Sequence, residues 1–301
     1  MIYRALVAAS LLGCLTGTQG FCDEVNETTT TPTPTQLIEG YSKHIFRVGA
    51  SYRHFDYLEL DGANDGEIGS FPGLSLGYEF RPGESDWYVS TSFEGTSTKT
   101  RYNGSDLDHK IFIQKDTPTQ LLEVEANLGV KIAESISGSA LKGYTGIGYH
   151  YWRRGDAGVT KGVHSYREDY TWWILPVGLK WEQYITEKFR VTLDVSGRLT
   201  FGGNTKGYLS QVADLQDVNA KLTGTLGYRA QLPLIYQTSP TLAFVVSPGY
   251  EYSTLGRSKP FGVFTKDGQQ ILNRDGEAFL LLEPSSRTSQ FGTTAGVAIT
   301  L

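Results

Sequence analysis

The stretch that decides the fold runs from Phe189 to Phe201 and reads F-R-V-T-L-D-V-S-G-R-L-T-F. Its odd-numbered positions are all apolar except Gly197, whereas its even-numbered positions are all polar and include two arginines and an aspartate. Strict alternation places successive side chains on opposite faces of a β-strand. Thirteen residues exceed the usual strand and suit a tilted strand that crosses a bilayer, which needs about nine to eleven residues. The pattern predicts a membrane-spanning strand with one apolar and one charged face.

The composition of the 301-residue chain also indicates β-structure. It contains 18 Tyr, 14 Phe and 5 Trp, which favour strands, and 35 Gly, which favour turns. The mean hydropathy of -0.27 resembles that of a soluble protein, but a membrane barrel also gives such a value because alternate residues face a polar interior. No apolar run is long enough for a transmembrane helix. The net charge of -5 gives no reason to expect a nucleic-acid partner.

The N-terminus has the features of an export signal. Arg4 precedes an apolar segment of about eleven residues, and the small residues of segment 16–20 follow it. These features predict a signal peptide over residues 1–20 that is cut before Phe21. The segment Leu11–Cys14 also resembles a bacterial lipobox, in which Cys14 would be lipidated, and this alternative stays open.

Two further segments follow the predicted signal. Residues 21–42 are rich in Thr and Pro, and we expect them to form a flexible periplasmic lead-in. After cleavage only Cys22 would remain, so no internal disulfide is expected. Residues 43–301 are predicted to form a single β-domain.

The alternating pattern recurs ten times within residues 43–301. The predicted strands start near Ile45, Leu74, Trp87, Leu122, Gly143, Trp173, Phe189, Val218, Leu242 and Phe291. Short connections alternate with longer ones along the chain, as the periplasmic turns and outward loops of outer-membrane barrels do. The sequence therefore predicts an all-β, closed antiparallel up-and-down transmembrane β-barrel of ten strands with both termini in the periplasm. Eight or twelve strands remain alternatives, because the strand 143–153 and the longest connection are ambiguous.

The orientation of the two faces follows from the physics of the bilayer. The apolar faces are large and nearly continuous, so they are predicted to contact lipid while the charged faces line the interior. The predicted aromatic girdle consists of Tyr52, Tyr78, Trp87, Trp173, Trp181, Tyr228 and Tyr252. The inverse orientation, with apolar residues inside, would make a soluble periplasmic lipocalin-like binder.

The predicted inward face carries charged residues of both signs. They are Arg47, Arg53, Glu79, Arg81, Glu94, Glu123, Glu125, Lys131, Lys180, Glu182, Arg190, Asp194, Arg198, Lys221, Arg229 and Glu251. Long side chains can fill the narrow interior of a barrel of this size, and opposite charges in a confined space should pair. We expect a plugged lumen held together by a charge network, with a narrow porin as the alternative.

These features, from Lys43 to Leu301 together with the export signal, resemble Gram-negative outer-membrane β-barrel proteins. The resemblance implies location in the cell outer membrane and, as partners, outer-membrane lipid, lipopolysaccharide and the outer-membrane assembly machinery. The last strand keeps the alternating apolar pattern of such proteins, but it ends at Leu301 without their terminal aromatic residue. No extracellular ligand is identified by the resemblance.

Two families of outer-membrane hydrolase have partial counterparts in the sequence. The predicted strand number matches the omptin proteases, and the segment Asp106–His109 is similar to part of their catalytic set; the opposing connection offers Asp214 and Asp217 but no His. The dipeptide His164-Ser165 has the residue types of an outer-membrane lipid A deacylase site. An omptin-like hydrolase therefore remains an alternative.

The sequence contains no complete catalytic set. It also has no paired Cys or closely spaced His that would indicate a metal site, and no cofactor is expected. We expect a non-enzymatic protein with a structural or surface-binding role carried by its long outward loops. Turn signals at Asp267-Gly268 and Asp275-Gly276 predict a hairpin within the longest loop.

Overall fold

The computed structural model describes residues 43–60, 65–83, 85–105, 111–135, 138–160 and 163–301. The predicted signal peptide and lead-in lie outside these residues, as do both cysteines and the segment Asp106–His109. None of the helical segments in the described part of the chain is long and apolar enough to cross a membrane.

Sixteen β-segments make up the described chain. They are β1 (Lys43–Glu59), β2 (Gly66–Arg81), β3 (Trp87–Ser105), β4 (Ile111–Glu134), β5 (Ser139–Arg154), β6 (Val159–Thr160), β7 (Val163–His164), β8 (Glu168–Tyr184), β9 (Phe189–Gly207), β10 (Val218–Thr223), β11 (Leu226–Gln231), β12 (Leu234–Ser239), β13 (Leu242–Ser258), β14 (Phe261–Gly262), β15 (Leu280–Leu281) and β16 (Ser286–Thr300). β6 pairs with β7, and β14 pairs with β15, in two separate two-stranded sheets.

The main sheet is a ring of antiparallel neighbours. β10, β11 and β12 all pair with β9 on one side and with β13 on the other, so together they form one interrupted strand. The ring joins where β1 pairs with β16, from Ile45 opposite Thr300 to Glu59 opposite Ser286. This arrangement confirms the predicted ten-stranded, closed up-and-down barrel. We call the end at which β1 starts and β16 finishes the terminal end, and the opposite end the loop end.

The strands run further toward the loop end than predicted. β3 has 19 residues and β4 has 24, and they stay paired as far as Ser105 and Ile111. The chain between the predicted strands that start near Trp87 and Leu122 is therefore mostly a β-hairpin, and β9 continues to Gly207, six residues beyond the deciding stretch. The extensions therefore carry a paired backbone well beyond the predicted strands.

The burial of alternate residues shows which face points inward. On β8 the exposed fractions of Trp173, Val177 and Trp181 are 42%, 60% and 44%, whereas Trp172 and Ile174 are at most 6% exposed. The polar even-numbered positions of the deciding stretch are likewise buried from Thr192 to Thr200, and its apolar positions Leu193, Val195, Leu199 and Phe201 are exposed. The apolar set therefore covers the outside, which is the opposite of a lipocalin-like arrangement.

The predicted girdle residues lie at two levels of the outer wall. Tyr78, Trp87 and Trp181 are near the terminal end, where Trp87 packs edge-on against Phe80 at a centroid distance of 6.1 Å. The others lie toward the loop end, where Tyr228 stacks on Tyr252 at 5.4 Å. On β8 the two levels are eight residues apart, about 26 Å along the strand at roughly 3.3 Å per residue. At the usual tilt of about 40°, that length spans about 20 Å along the membrane normal, which is most of an apolar band of about 25 Å.

A bulge in β9 changes the face of the residues beyond it. Gly202 has a φ of 60°, and the buried positions change from even numbers up to Thr200 to odd numbers from Gly203 onward. The interrupted strand breaks at the same level, where the Thr200 hydroxyl donates to the Thr225 carbonyl at 3.0 Å and accepts from the Thr225 N–H at 2.9 Å. As a result Leu222 points inward and Lys221 points outward, so the predicted inward position of Lys221 is wrong.

Candidate functional site

The barrel interior is the candidate functional site, because it brings together most of the charged residues that the sequence analysis selected. Four groups of side chains follow one another from the terminal end to the loop end. We name them the basic cavity, the central ion-pair layer, the aromatic layer and the acidic cluster.

Arg198 of β9 organises the central ion-pair layer. Its guanidinium donates to Glu125 at 2.7 Å and to Glu123 at 2.8 Å, and lies 3.4 Å from Glu251. Arg229 of β11 donates to the same two β4 carboxylates at 2.8 and 3.0 Å. Arg198 and Glu125 are 2% and 1% exposed as side chains. Opposite walls of the barrel are thereby joined by ion pairs from which water is excluded.

Two further residues extend this layer. Arg53 of β1 pairs with Glu94 of β3 and lies 3.8 Å from Glu251. His150 of β5 is 3.2 Å from Glu123 and stacks on Trp172 with ring centroids 4.1 Å apart. The stacking joins the ion pairs to the aromatic layer above.

The aromatic layer fills the interior on the loop-end side of the ion pairs. Its members are Phe55, Tyr57, Phe71, Leu121, Trp152, Tyr170, Trp172, Ile174, Leu222 and Leu255, none more than 7% exposed. Trp152 lies at its centre, 4.5 Å from the Tyr170 ring, 4.8 Å from Tyr57 and 5.6 Å from Phe55. The layer forms a second barrier across the barrel.

The acidic cluster lies beyond the aromatic layer, around Arg154 at the end of β5. Arg154 contacts Glu168 at 2.7 Å, and its Nε is 3.8 Å from Glu67. It also donates to the Tyr170 hydroxyl at 3.0 Å, and Tyr170 donates to Glu283 at 2.7 Å. One guanidinium is therefore shared among several buried carboxyl groups.

This shortage of positive charge changes the acidity of the cluster. Burial, together with the neighbouring carboxylates Glu168 and Glu59, raises the pKa of Glu283 to about 8. Burial likewise raises the pKa of Glu59 to about 7, although Arg154 opposes the shift. Both groups lie on the loop-end side of the outer aromatic residues. Glu283 therefore keeps its proton at neutral pH.

The basic cavity occupies the terminal-end half of the interior, with a volume of about 220 Å³. Arg47 and Arg81 pair with Glu79. Glu182 lies 2.8 Å from Lys142 and 3.7 Å from both Arg81 and Arg190. Cationic side chains from β1, β2, β5 and β9 thus converge on carboxylates from β2 and β8.

The structure brings together nearly all of the predicted lumen residues. Lys131 and Lys221 are the exceptions. Lys131 is at the terminal-end rim, where it contacts Glu134 at 2.7 Å and Asp86 at 3.3 Å instead of the interior network. This position corrects the prediction for Lys131, since the last residues of β4 extend past the barrel wall.

Sequence reasoning missed two charged residues and a histidine on β5. Lys142, His150 and Arg154 all lie on its even-numbered, inward face. The alternation that identified the other strands applies there too, but interior Tyr and Trp residues obscure it. The aromatic layer was missed as well, because aromatic residue types suit an outer girdle and a core equally.

The residues considered for hydrolytic chemistry do not assemble into a catalytic set in the described chain. Asp214 is 78% exposed and lies 3.7 Å from Lys266, and Asp217 accepts a hydrogen bond from Ser210. Ser165 donates to Asp156 at 2.7 Å within the β6–β7 hairpin, so its hydroxyl stabilises a turn. No group of three or more His, Cys, Asp or Glu among the described residues has a metal-binding arrangement.

Comparison with solved structures gives the fold class. The outer-membrane protease OmpT from Escherichia coli superposes with a TM-score of 0.56 at 10% identity, over 86% of this chain and 96% of that chain. The fold is that of an outer-membrane β-barrel. The barrel's other neighbours include the outer-membrane protein OprG from Pseudomonas aeruginosa, with a TM-score of 0.39 at 10% identity over 87% of this chain and 97% of that chain. The translocator domain of the autotransporter NalP from Neisseria meningitidis has a TM-score of 0.42 at 12% identity, over 88% of this chain and 91% of that chain.

No protein-family model matches the barrel chain, and no curated protein matches it either. The 10% identity to OmpT shows the fold and does not identify a substrate or ligand.

Proposed function

We propose that the protein is a non-enzymatic outer-membrane barrel with a closed interior and a structural or surface-binding role at the cell surface. The observation that carries this proposal is the succession of two barriers across the lumen. Ions would have to separate the buried pairs of Arg198 and then pass the packed rings around Trp152. Separating a buried ion pair is strongly unfavourable, and a close-packed aromatic group leaves no path for water.

The proposed orientation puts the terminal end in the periplasm and the loop end outside. Short connections at the terminal end, such as the segment 185–188 between β8 and β9, fit periplasmic turns. The extended hairpin of β3 and β4 and the segment 259–285 fit the surface side. A binding role would then be carried by these elements of the loop end.

Basic residues on the outer wall support lipopolysaccharide as the lipid partner. Lys99, Arg101, Lys115, Lys206, Lys221, Arg257 and Arg287 lie on the strand extensions and are exposed or half-exposed. Lys206 and Arg257 each follow an outer aromatic residue, Phe201 and Tyr252, by five positions. At that height cationic side chains can pair with the phosphate groups of the outer leaflet. We name these seven residues the basic collar.

Single-channel recording in planar bilayers tests the closed interior. We expect the wild-type protein to insert without reproducible conductance steps, and heat-modifiable migration on SDS gels would show that the tested sample is a folded barrel. Reproducible, ion-selective steps from such a sample would contradict the proposal and favour the narrow porin.

The collar can be tested separately by the stability of the barrel in vesicles with and without lipopolysaccharide. Substituting Arg257 and Arg287 by Gln should reduce the stabilisation that lipopolysaccharide provides. Lys131→Gln, which removes one charge from the terminal-end rim, is the control and should leave that stabilisation unchanged. If the collar substitutions and Lys131→Gln changed the stabilisation by lipopolysaccharide equally, the collar would have no specific role.

A further inference from the structure

The basic cavity contains more positive than negative charge. The whole lining has seven cationic side chains and six carboxylates among the described residues, an excess of one positive charge. Five of these cations and three of these carboxylates lie outside the central ion-pair layer. The cations are Arg47, Arg81, Lys142, Lys180 and Arg190. The carboxylates are Glu79, Glu182 and Asp194. Confined charges of one sign in a medium of reduced dielectric constant attract a counter-ion strongly.

Sharing of the carboxylates leaves donor groups incompletely satisfied. Glu182 serves three cations, with only Lys142 in close contact at 2.8 Å. Lys180 is 3.6 Å from Asp194, and the other oxygen of that carboxylate already accepts from Tyr144. The Nε of Arg190 has no hydrogen-bond partner among the described residues. Guanidinium donors in this condition are suited to a ligand with several acceptor oxygens.

A buried hydroxyl group gives an independent indication of a ligand. Tyr88 lines the cavity and is 3% exposed, yet its hydroxyl has no hydrogen-bond partner within the described structure. The ammonium groups of Lys142 and Lys180 lie 5.8 and 5.5 Å from the centre of the same ring. A buried hydroxyl without a partner is unfavourable, so an acceptor in the cavity would stabilise it.

The cavity is accessible from one side. Arg47 and Arg81 near the terminal end are 33% and 26% exposed as side chains, whereas Arg198 at the inner boundary is 2% exposed. A ligand would therefore enter from the terminal end and stop at the central ion-pair layer. The proposed orientation places this end in the periplasm. The binding chemistry of the cavity does not depend on that orientation.

We infer that the basic cavity is a binding site for a small divalent oxyanion, namely phosphate or the phosphate group of a monoester. Outside the central layer the cations outnumber the carboxylates, which favours an anion such as a phosphate monoester, whose charge is about -1.5 to -2 at neutral pH. Its acceptor oxygens complement the donors of Arg190, Lys180 and Tyr88. A volume of about 220 Å³ leaves room for such a group and for several water molecules.

Isothermal titration of the folded, detergent-solubilised barrel with inorganic phosphate tests the site, with total ionic strength held constant by chloride. We expect saturable binding that weakens at least tenfold in the double variant Arg47→Gln/Arg190→Gln. Lys131→Gln, a rim lysine outside the cavity, should bind as the wild type does. Tyr88→Phe keeps the ring beneath the two lysines and should weaken binding several-fold.

A gain-of-binding variant separates the site from a general loss of structure. Glu182→Gln removes the carboxylate that competes for three of the cations, so phosphate should bind several-fold more tightly. Absence of saturable binding to the wild type, or an unchanged affinity in both Glu182→Gln and Arg47→Gln/Arg190→Gln, would overturn the inference. A parallel titration with glycerol 3-phosphate distinguishes free phosphate from a monoester as the preferred form, and tight binding of either supports the site.

Discussion

Tyr170 of β8 donates a hydrogen bond of 2.7 Å to Glu283, which lies 113 residues further along the chain, between β15 and β16. The same hydroxyl accepts from Arg154 at 3.0 Å. The longest connection of the barrel is thus fastened to the inner wall by a carboxyl group whose pKa is raised to about 8. Its attachment should therefore respond to pH.

We predict that the attachment of the connection 259–285 weakens in alkaline solution. The pKa of Glu283 is higher in the folded protein than in the unfolded chain, so the protonated group's contribution to stability is complete below about pH 4.5 and is lost as the pH rises through about 8. Ionised Glu283 would face Glu168 and Glu59 with Arg154 as the shared cation. Limited proteolysis at pH 6.5 and 9.5 should show faster cleavage of this connection at the higher pH.

The matching variant is Glu283→Gln, which stays neutral at both pH values. Its cleavage rate relative to the wild type should be similar at pH 6.5 and clearly lower at pH 9.5. Glu277→Gln changes an exposed carboxylate of the same connection and should behave as the wild type. A Glu283→Gln protein with the full pH response would show that another group controls the attachment.

The central ion-pair layer makes a prediction about stability. Arg198→Met should reduce the free energy of unfolding by about 3–5 kcal/mol, because it leaves the carboxylates of Glu123, Glu125 and Glu251 buried with one cation fewer. Urea titration of the barrel in vesicles would measure the change. Arg287→Met removes an exposed arginine on β16 and should change the unfolding free energy by less than about 0.5 kcal/mol. Equal losses in the two variants would argue against the buried network.

The outward apolar band makes a further prediction. Val177 is 60% exposed and lies midway between Trp173 and Trp181 on β8, which is the expected middle of the bilayer. Val177→Arg should destabilise the barrel in vesicles by about 2–4 kcal/mol. Ile111→Arg, at a position 76% exposed at the loop end of β4, should have little effect. If Ile111→Arg destabilised the barrel as strongly as Val177→Arg, the proposed membrane level would be wrong.

The outward face of the barrel was predictable from the sequence because lipid contact requires uninterrupted alternation. The odd-numbered apolar residues of the stretch Phe189–Phe201 could point only one way once the polar ones pointed inward. The same reasoning failed at Lys221, because the strand is interrupted between β10 and β11, level with the bulge at Gly202 of β9, and the inward face changes there from even-numbered to odd-numbered positions. A bulge leaves the residue types unchanged, so parity alone cannot detect it.

The loop-end half of the interior was not predictable in the same way. Phe55 and Tyr57 have the inward parity of β1, but aromatic residues are equally at home in an outer girdle and in a core. The acidic cluster depends on Glu283, whose neighbours Arg154 and Tyr170 are more than a hundred residues away in sequence. Such a group forms through tertiary pairing and leaves no local pattern.

An interior tyrosine covers a glycine of the neighbouring strand, and this packing leads to the last prediction. Tyr144 of β5 lies directly opposite Gly178 of β8, and a Cβ atom added at Gly178 would overlap the tyrosine ring. Tyr144 also donates to Asp194 at 2.7 Å, so displacing the ring would disturb a carboxylate of the basic cavity. Gly178→Ala should therefore reduce the free energy of unfolding by about 1–3 kcal/mol through overpacking.

Gly197 of β9 provides the matched control, since a Cβ atom there would meet nothing within 4 Å. Gly197→Ala should be neutral or slightly stabilising, because alanine restricts the unfolded chain without a clash in the folded barrel. Urea unfolding of both variants in the same vesicles measures the difference. If Gly178→Ala were as stable as Gly197→Ala, the Tyr144 ring would have to move freely, and the interior at that level would be looser than its buried contacts indicate.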